Sequence, residues 1–285
     1  MRYLWTFALI GILTAPASAQ LDARSQNLVL PTTSPQASIT QEIGLSSVTI
    51  TWHRPGVKGR EVWGTDLVPY EGKIWRAGAN ENTTIALSHD CTVNGQPLPA
   101  GTYGFHAIAS EQDWTLIFST NTSSWGSYFY NPEEDALRVT ATPVPASHAE
   151  WLEFGFEDLT DSSATGYLRW EEKKVPFEIA FDTKAIVLQS IQDQLRSVPA
   201  FTWQGWYQAA QWAFDNDTGA DLAKAWIEQS LQRNENWMNL TLKGRMLAAA
   251  GDADGAGDAL NRALELAPEN RKQGVQNAID ELGLE

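Results

Sequence analysis

The chain has 285 residues, of which 43% are hydrophobic and 13 are tryptophan, so it can fill one large hydrophobic core and a second, smaller one. Its single cysteine, Cys91, excludes an internal disulfide, and stability must therefore come from packing. The formal net charge of -15 argues against binding to nucleic acids or anionic membrane surfaces, because both require a basic protein surface.

The N-terminal segment has the pattern of a secretory signal peptide. A positive end at Met1-Arg2 precedes an apolar run over residues 3–13, and small residues at 17–19 form a signal-peptidase site. We predict cleavage after Ala19, so that residues 1–19 are the signal peptide and the mature protein is exported and soluble, in a periplasm or outside the cell. No later stretch has the roughly 20 apolar residues that a membrane-spanning helix needs.

Alternating apolar and polar residues follow an extended leader at residues 20–36. In one such stretch Val48, Ile50 and Trp52 alternate with threonines, which places the three apolar side chains on one face of a strand. The same alternation recurs in several later segments, with turn residues such as Gly, Pro and Asn between them. This pattern predicts a mainly β domain at residues 37–183, built as a sandwich or jelly roll.

Near position 185 the hydrophobic period changes from two to 3.6 residues, which indicates helices. Aligned on itself at an offset of about 33 residues, this part of the chain superimposes Ala223 on Ala256 and repeats its apolar pattern. We predict an all-α domain at residues 185–285 with a leading helix at 186–196 and two hairpins that resemble tetratricopeptide repeats. Two such units are fewer than a free-standing solenoid needs, so the tail is expected to dock on the β domain or to contact a protein partner.

The first domain contains several long motifs in a fixed order: ITWHRPGVKGREVWG, VPYEGKIWRAGANENTTI, LPAGTYGFHAI and WGSYFYNPEEDALRV. These motifs resemble those of the domain of unknown function 2911 family of bacterial exported proteins, over residues 34–182. The helical tail resembles the extension that many members carry. Trp52-His53 departs from the Tyr-Ser pair that is more common in the family, so any chemistry at His53 would be peculiar to this protein. The resemblance implies a domain and no established activity.

Basic side chains concentrate between Arg54 and Arg76 in an otherwise acidic chain. Such a concentration needs negative charge nearby, either from a bound ligand or from carboxylates of the protein itself. We therefore predict a site for a small polar or anionic ligand, a class that includes glycans, framed by aromatic side chains. The candidate residues are Arg54, Lys58, Arg60, Trp75, Arg76, Asn80, Glu81, Trp125, Arg138 and Glu150.

Glu150 is the expected acidic partner of this cluster. It shares the alternation of Leu152 and Phe154, which places its carboxylate on the core side of the sheet. A carboxylate in that position needs a partner, and an arginine is the natural candidate. The cluster therefore has two explanations: a ligand site, or a structural ion-pair network that holds the 54–83 connection on the sheet.

No metal site and no cofactor are predicted. The four histidines are scattered, and although His89 and Cys91 stand two apart on one strand face, the later His and Met of a copper site are missing. The chain has no GxSxG elbow, HExxH motif or phosphate-binding glycine loop. Glu81 and Glu150 form a conceivable hydrolytic pair, but their spacing in sequence does not define their separation in space.

We therefore favour an exported, non-catalytic binding module over an enzyme. Arg76, Asn80 and Glu81 are its principal predicted ligand-binding residues, and the helical repeats contact a protein or support the β domain. One alternative is an envelope saccharide hydrolase that uses Glu81 or Glu150 as acid or base. Another is a structural scaffold that works through its repeats and has no small-molecule site.

Overall fold

The computed structural model describes residues 30–70 and 72–283. The predicted signal peptide, its cleavage site and leader residues 20–29 lie outside the described residues. The described strands are β1 Gln36–Ile43, β2 Ser46–His53, β3 Thr83–Leu87, β4 Cys91–Val93, β5 Gln96–Leu98, β6 Gly101–Ile108, β7 Trp114–Ser119, β8 Asp135–Ala141, β9 Val144–Glu157 and β10 Ser163–Phe181. The described α-helices are α1 Thr183–Gln194, α2 Trp203–Asp215, α3 Ala220–Arg233, α4 Trp237–Ala249, α5 Ala253–Leu266 and α6 Glu269–Glu281.

Two antiparallel sheets form the β region. The larger has the strand order β1-β2-β3-β6-β7-β8, and the smaller has the order β5-β4-β10-β9. Sequence alternation decides which side chains face inward: Val48, Ile50 and Trp52 of β2 are buried, while the threonines between them are half-buried. The prediction of a mainly β region followed by a helical region is confirmed.

Aromatic side chains fill the hydrophobic core that both sheets share. Trp114 of β7 and Trp170 of β10 are almost fully buried. Trp63 lies edge-on to both rings, with centroid distances of 5.5 and 6.0 Å. Because apolar burial stabilises a fold by about 25 cal/mol per Å², such large rings make a major contribution. The prediction that Trp52 faces inward is confirmed.

A register shift interrupts the long β9–β10 pair. Arg169 lies opposite Glu153 and Glu171 lies opposite Ala149, so β9 advances by more residues than β10 across this stretch. Glu171 has a φ of 53°, in the left-handed region that non-glycine residues rarely adopt. The shift is a bulge, which bends the strand and changes the direction in which its side chains point.

The helical region contains two consecutive helix pairs, α2 with α3 and α4 with α5. Ala223 of α3 and Ala256 of α5 are buried at the matching positions that the sequence offset predicted. Gly244 of α4 allows its pair to approach closely, because a Cβ there would lie 2.6 Å from Cγ of Leu260. The helical character of this part is confirmed, and its assignment to tetratricopeptide repeats stays a prediction.

The two regions meet directly after β10. This strand ends at Phe181 and α1 begins at Thr183, where the Asp182 carboxylate accepts a hydrogen bond from the Ala185 N–H at 3.1 Å and caps the helix. Ile186 of α1 packs against the β core. Across the described residues, every helix is too short or too polar to cross a membrane.

Candidate functional site

A cavity of about 640 Å³ is lined mainly by the connection that joins β2 to β3. Thr33 and Ser34 before β1, Ser127 and Tyr128 between β7 and β8, and Trp170 of β10 complete its wall. The volume falls within the range of small-molecule binding sites, about 300–1,000 Å³. The cavity is therefore large enough to hold a ligand of that class.

Backbone hydrogen bonds attach the β2–β3 connection to both sheets. The Val57 N–H donates to the Glu150 carbonyl of β9 at 2.7 Å. Further along, Trp75 and Ala107 of β6 exchange two hydrogen bonds of 2.8 Å each. The cavity wall is thus held on regular strands, which limits the motion of the side chains that it carries.

Three described non-glycine residues of this connection adopt left-handed backbone conformations. The φ angles are 50° at Lys58, 48° at Ala77 and 56° at Asn80. Non-glycine residues are strained in this region, and such conformations concentrate at ligand and catalytic sites. The strain persists because the surrounding hydrogen bonds fix the connection in place.

Two cationic residues of the wall are exposed. Arg60 donates from Nε to the Val57 carbonyl at 3.0 Å and from Nη2 to the Gly56 carbonyl at 2.6 Å. Nζ of Lys58 lies 5.6 Å from the ring centroid of Trp151, a cation–π contact. Within the part of the chain that the structure describes, neither cation has a carboxylate at ion-pair distance.

Arg76 is a half-buried cation of the same wall. Its Nη1 donates to the Asn80 carbonyl at 3.0 Å, and its guanidinium carbon lies 5.1 Å from the ring centroid of Trp125. Burial lowers the pKa of Arg76, and the nearby Tyr128 and Glu81 oppose this effect. Because a guanidinium keeps its proton in proteins, Arg76 remains a positive charge held in a defined position.

The structure places Arg54 and Arg138 outside the cavity wall, each beside a carboxylate. Nη2 of Arg54 lies 3.8 Å from the carboxylate of Glu153. Nε of Arg138 donates to Asp135 at 2.6 Å, and its Nη2 donates to the Tyr130 hydroxyl at 2.7 Å. The predicted cluster therefore divides into arginines that pair within the protein and cations that line the cavity.

Asn80 and Glu81 do not line the cavity. Besides accepting from Arg76 through its carbonyl, Asn80 donates from Nδ2 to the Ser34 carbonyl at 3.4 Å. The Glu81 carboxylate is 66% exposed and lies 3.4 Å from Nε2 of His53. The backbone of Glu81 forms a bridge with Trp125, so it positions an aromatic residue beside Arg76.

The predicted position of Glu150 on the core side of the sheet is wrong. Its side chain is 45% exposed, with one oxygen accepting from the Lys58 N–H at 2.8 Å and the other 3.6 Å from Nε2 of His148. The prediction assumed an unbroken alternation, but the β9 bulge turns both Ala149 and Leu152 inward. Among the described residues, Glu150 has no arginine at ion-pair distance.

Of the two predicted aromatic platforms, only Trp125 is exposed, at 52%. Trp75 is buried and stacks on Trp170, with ring centroids 6.3 Å apart and an interplanar angle of 8°. Both rings line the inner wall of the cavity. The indole N–H of Trp170 is buried without a hydrogen-bond partner among the described residues.

Several wall residues were not identified from the sequence. Thr33 and Ser34 fall in the predicted leader, and Asp66 lies in a stretch without periodicity. Ser127 and Tyr128 reach the cavity because the β7–β8 connection is attached to the β2–β3 connection by the bridge between Trp125 and Glu81. The WGSYFYN motif was the one feature that marked this connection.

The described residues contain no group of three or more His, Cys, Asp or Glu side chains placed to hold a metal ion. Nδ1 of His89 lies 2.9 Å from Oγ of Ser88. Burial, assisted by Asp90, raises the pKa of Cys91 to about 12, so its thiol stays protonated near neutral pH. His89 thus contacts a neighbouring serine hydroxyl, whereas Cys91 is a buried, protonated thiol.

The fold and the cavity together define a two-sheet β domain with a cationic, aromatic-walled pocket, followed by paired helices. The chain belongs to the family described as protein of unknown function DUF2911, whose profile matches residues 34–179, about half of the chain. The family resemblance predicted for the β domain is thereby confirmed, and the match ends before the helices begin. No curated protein and no solved structure matches the chain.

Proposed function

We propose that the protein is an exported binding module whose β domain binds a small anionic ligand in the cavity. One observation carries this proposal: Lys58, Arg60 and Arg76 line the same cavity, and none has a carboxylate at ion-pair distance among the described residues. In a chain of net charge -15, a concave wall with three such cations is a local region of positive potential.

The chemistry of the wall defines the kind of anion. Guanidinium groups bind carboxylate, sulfate or phosphate oxygens through paired N–H donors, and Arg60 and Arg76 are already oriented by backbone carbonyls. Asp66 lies in the same wall and repels ligands with many negative charges. The best-matched ligand has one acidic group and an otherwise polar body.

The hydrolase alternative receives less support from the geometry. A glycosidase needs two carboxyl groups that flank the bond to be broken, about 5–9.5 Å apart. Glu81 and Glu150 are both at the surface, and neither lines the cavity. We therefore place binding ahead of hydrolysis.

We assign the helical region a supporting role. Ile186 packs on the β core, which favours buttressing of the sandwich. Val198 and Phe201, in a short 3-10 helix, are exposed and offer a surface for a protein partner. A scaffold without any small-molecule site would leave without a role the cavity cations, which have no carboxylate at ion-pair distance among the residues that the structure describes.

The test is anion binding by the purified chain, measured by titration calorimetry with sulfate, acetate and citrate at low ionic strength. In the double variant Lys58→Gln, Arg60→Gln we expect affinity to fall about tenfold or more, because charge-assisted hydrogen bonds contribute about 1.5–3 kcal/mol. Arg271→Gln, an exposed position on α6, is the matched control and should bind as the parent does.

Two results would overturn the proposal: no anion binds, or the double variant binds as tightly as the parent. Circular dichroism of each variant verifies that the fold is intact. Export is tested separately by the mass of the mature protein, which should begin at Gln20 if residues 1–19 are removed.

A further inference from the structure

Exposed aromatic side chains accompany the cations of the cavity. Trp125 is 52% and Tyr128 is 80% exposed, and Trp151 also lies at the surface. Trp151 contacts Lys58, and Trp125 contacts Arg76. Large apolar side chains in contact with water beside a cavity indicate a surface that a partner covers.

Trp125 and Tyr128 form a stacked aromatic pair next to Arg76. Their rings are stacked, with centroids 5.8 Å apart and an interplanar angle of 7°. Tyr128 itself lines the cavity. Gly126 between them has a φ of 69°, which favours glycine, and a Cβ at that position would lie 2.9 Å from Nη1 of Arg76, so a larger residue would displace the guanidinium.

Hydrogen bonds hold this aromatic segment in place. The buried amide of Asn82, in the orientation that satisfies its neighbours, donates to the carbonyls of Ser124 and Gly126 at 2.8 and 2.9 Å. Oγ of Ser127 lies 3.4 Å from Nδ1 of the buried His106. The Trp125–Tyr128 pair is therefore ordered before a ligand binds, which reduces the entropy cost of binding.

We propose that the ligand is an acidic glycan, with a sugar ring against the exposed side chain of Tyr128 and its carboxylate at the cavity cations. This inference rests on the proposed anion-binding function and names the class of ligand. Aromatic faces pack against flat, weakly polar surfaces, and a sugar ring presents such a surface through its C–H groups.

The polar residues that line the cavity favour a sugar over an inorganic anion. The Asp66 carboxylate only accepts hydrogen bonds, so it suits a ligand with hydroxyl donors. Thr33, Ser34 and Ser127 add hydroxyls that both donate and accept. A fully deprotonated sulfate has no donor for Asp66, whereas a uronic acid sugar has both hydroxyls and one carboxylate.

The experiment compares a short galactose oligosaccharide that carries a single galacturonic acid residue, the neutral oligogalactose of equal length, and sulfate, by titration calorimetry on the full chain. We expect the acidic oligosaccharide to bind at least about tenfold more tightly than either reference. Tyr128→Ala should weaken binding of the acidic oligosaccharide about fivefold to tenfold and weaken sulfate binding less, while Tyr128→Phe should retain the parent affinity. Phe201→Ala, which removes a side chain that is 81% exposed on the helical part, is the matched control.

The outcomes separate this inference from the function on which it rests. If sulfate binding depends on Lys58 and Arg60 but the acidic oligosaccharide gains nothing over sulfate, the glycan inference fails and anion binding stands. If the neutral oligosaccharide binds as tightly as the acidic one, the carboxylate has no role in recognition. If Tyr128→Ala leaves the affinity for the acidic oligosaccharide unchanged, the aromatic side chain has no role in recognition. Absence of binding by all three probes refutes both proposals.

Discussion

The buried His106 makes the stability of the β domain depend on pH. Its side chain is only 2% exposed, between Ser127 at 3.4 Å and the ring of Tyr130, whose centroid is 5.3 Å away. Burial lowers the pKa of His106 from 6.5 to about 4, and the charge of Asp135 opposes part of this shift. The imidazole is therefore neutral in the folded protein over a pH range in which the unfolded chain binds a proton.

The sign and size of the effect follow from this difference in pKa. Because the unfolded state binds more protons, the contribution to stability is complete above about pH 6.5 and is lost as the pH falls towards about 4. At about 1.4 kcal/mol per pKa unit, the loss is about 1 kcal/mol near pH 5.5, about 2 kcal/mol near pH 4.5 and about 3 kcal/mol in total.

Urea unfolding of the parent and of His106→Gln at about pH 7, 5.5 and 4.5 measures this loss. The variant keeps every carboxylate. The free energy of unfolding of the parent minus that of the variant therefore changes with pH only through His106. We expect the variant to lose about 2 kcal/mol less than the parent between pH 7 and about pH 4.5. His148→Gln, at an exposed position, should follow the parent. Parallel pH profiles for the parent and His106→Gln would refute the argument.

Two further predictions concern groups outside the cavity. Arg138→Gln should destabilise the protein by about 1–3 kcal/mol, because it leaves the mostly buried Asp135 carboxylate without its cation. Anion binding should stay unchanged. Thermal melting measures the loss of stability and calorimetry measures anion binding; a loss of binding would show that Arg138 belongs to the site. Cys91 should resist alkylation by iodoacetamide near pH 8 in the native protein, because its thiol is buried and burial raises its pKa to about 12. After unfolding in urea it should react. Mass spectrometry measures the labelling, and rapid labelling of the native chain would contradict the buried position.

Regular elements of this protein could be predicted because their signals are local. The alternation of Val48, Ile50 and Trp52 with threonines is a property of five neighbouring residues, and the strand that they form buries the expected face. The repeat of Ala223 at Ala256 likewise predicted two equivalent buried positions on separate helices. Both patterns depend only on the geometry of a single strand or helix.

The same kind of argument failed at Glu150, because alternation holds only while the register of a strand is continuous. The bulge opposite Glu171 exposes Glu150, and the outer edge of β9 pairs there with the β2–β3 connection. A bulge depends on the partner strand, so its effect on side-chain direction is not contained in the sequence of β9 alone.

The sequence by itself therefore determined the order of β and helical parts, the inward faces of strands whose register is continuous, and the presence of an unusual concentration of basic residues. Only the tertiary structure decided which of these cations share a cavity, because Arg76 and Tyr128 meet through pairings between segments that are far apart in the chain. It also separated Arg138, which an acidic neighbour satisfies, from Lys58 and Arg60. Charge composition shows how much negative charge a region requires, but the distance between charges, on which Coulomb energy depends, is set by the fold.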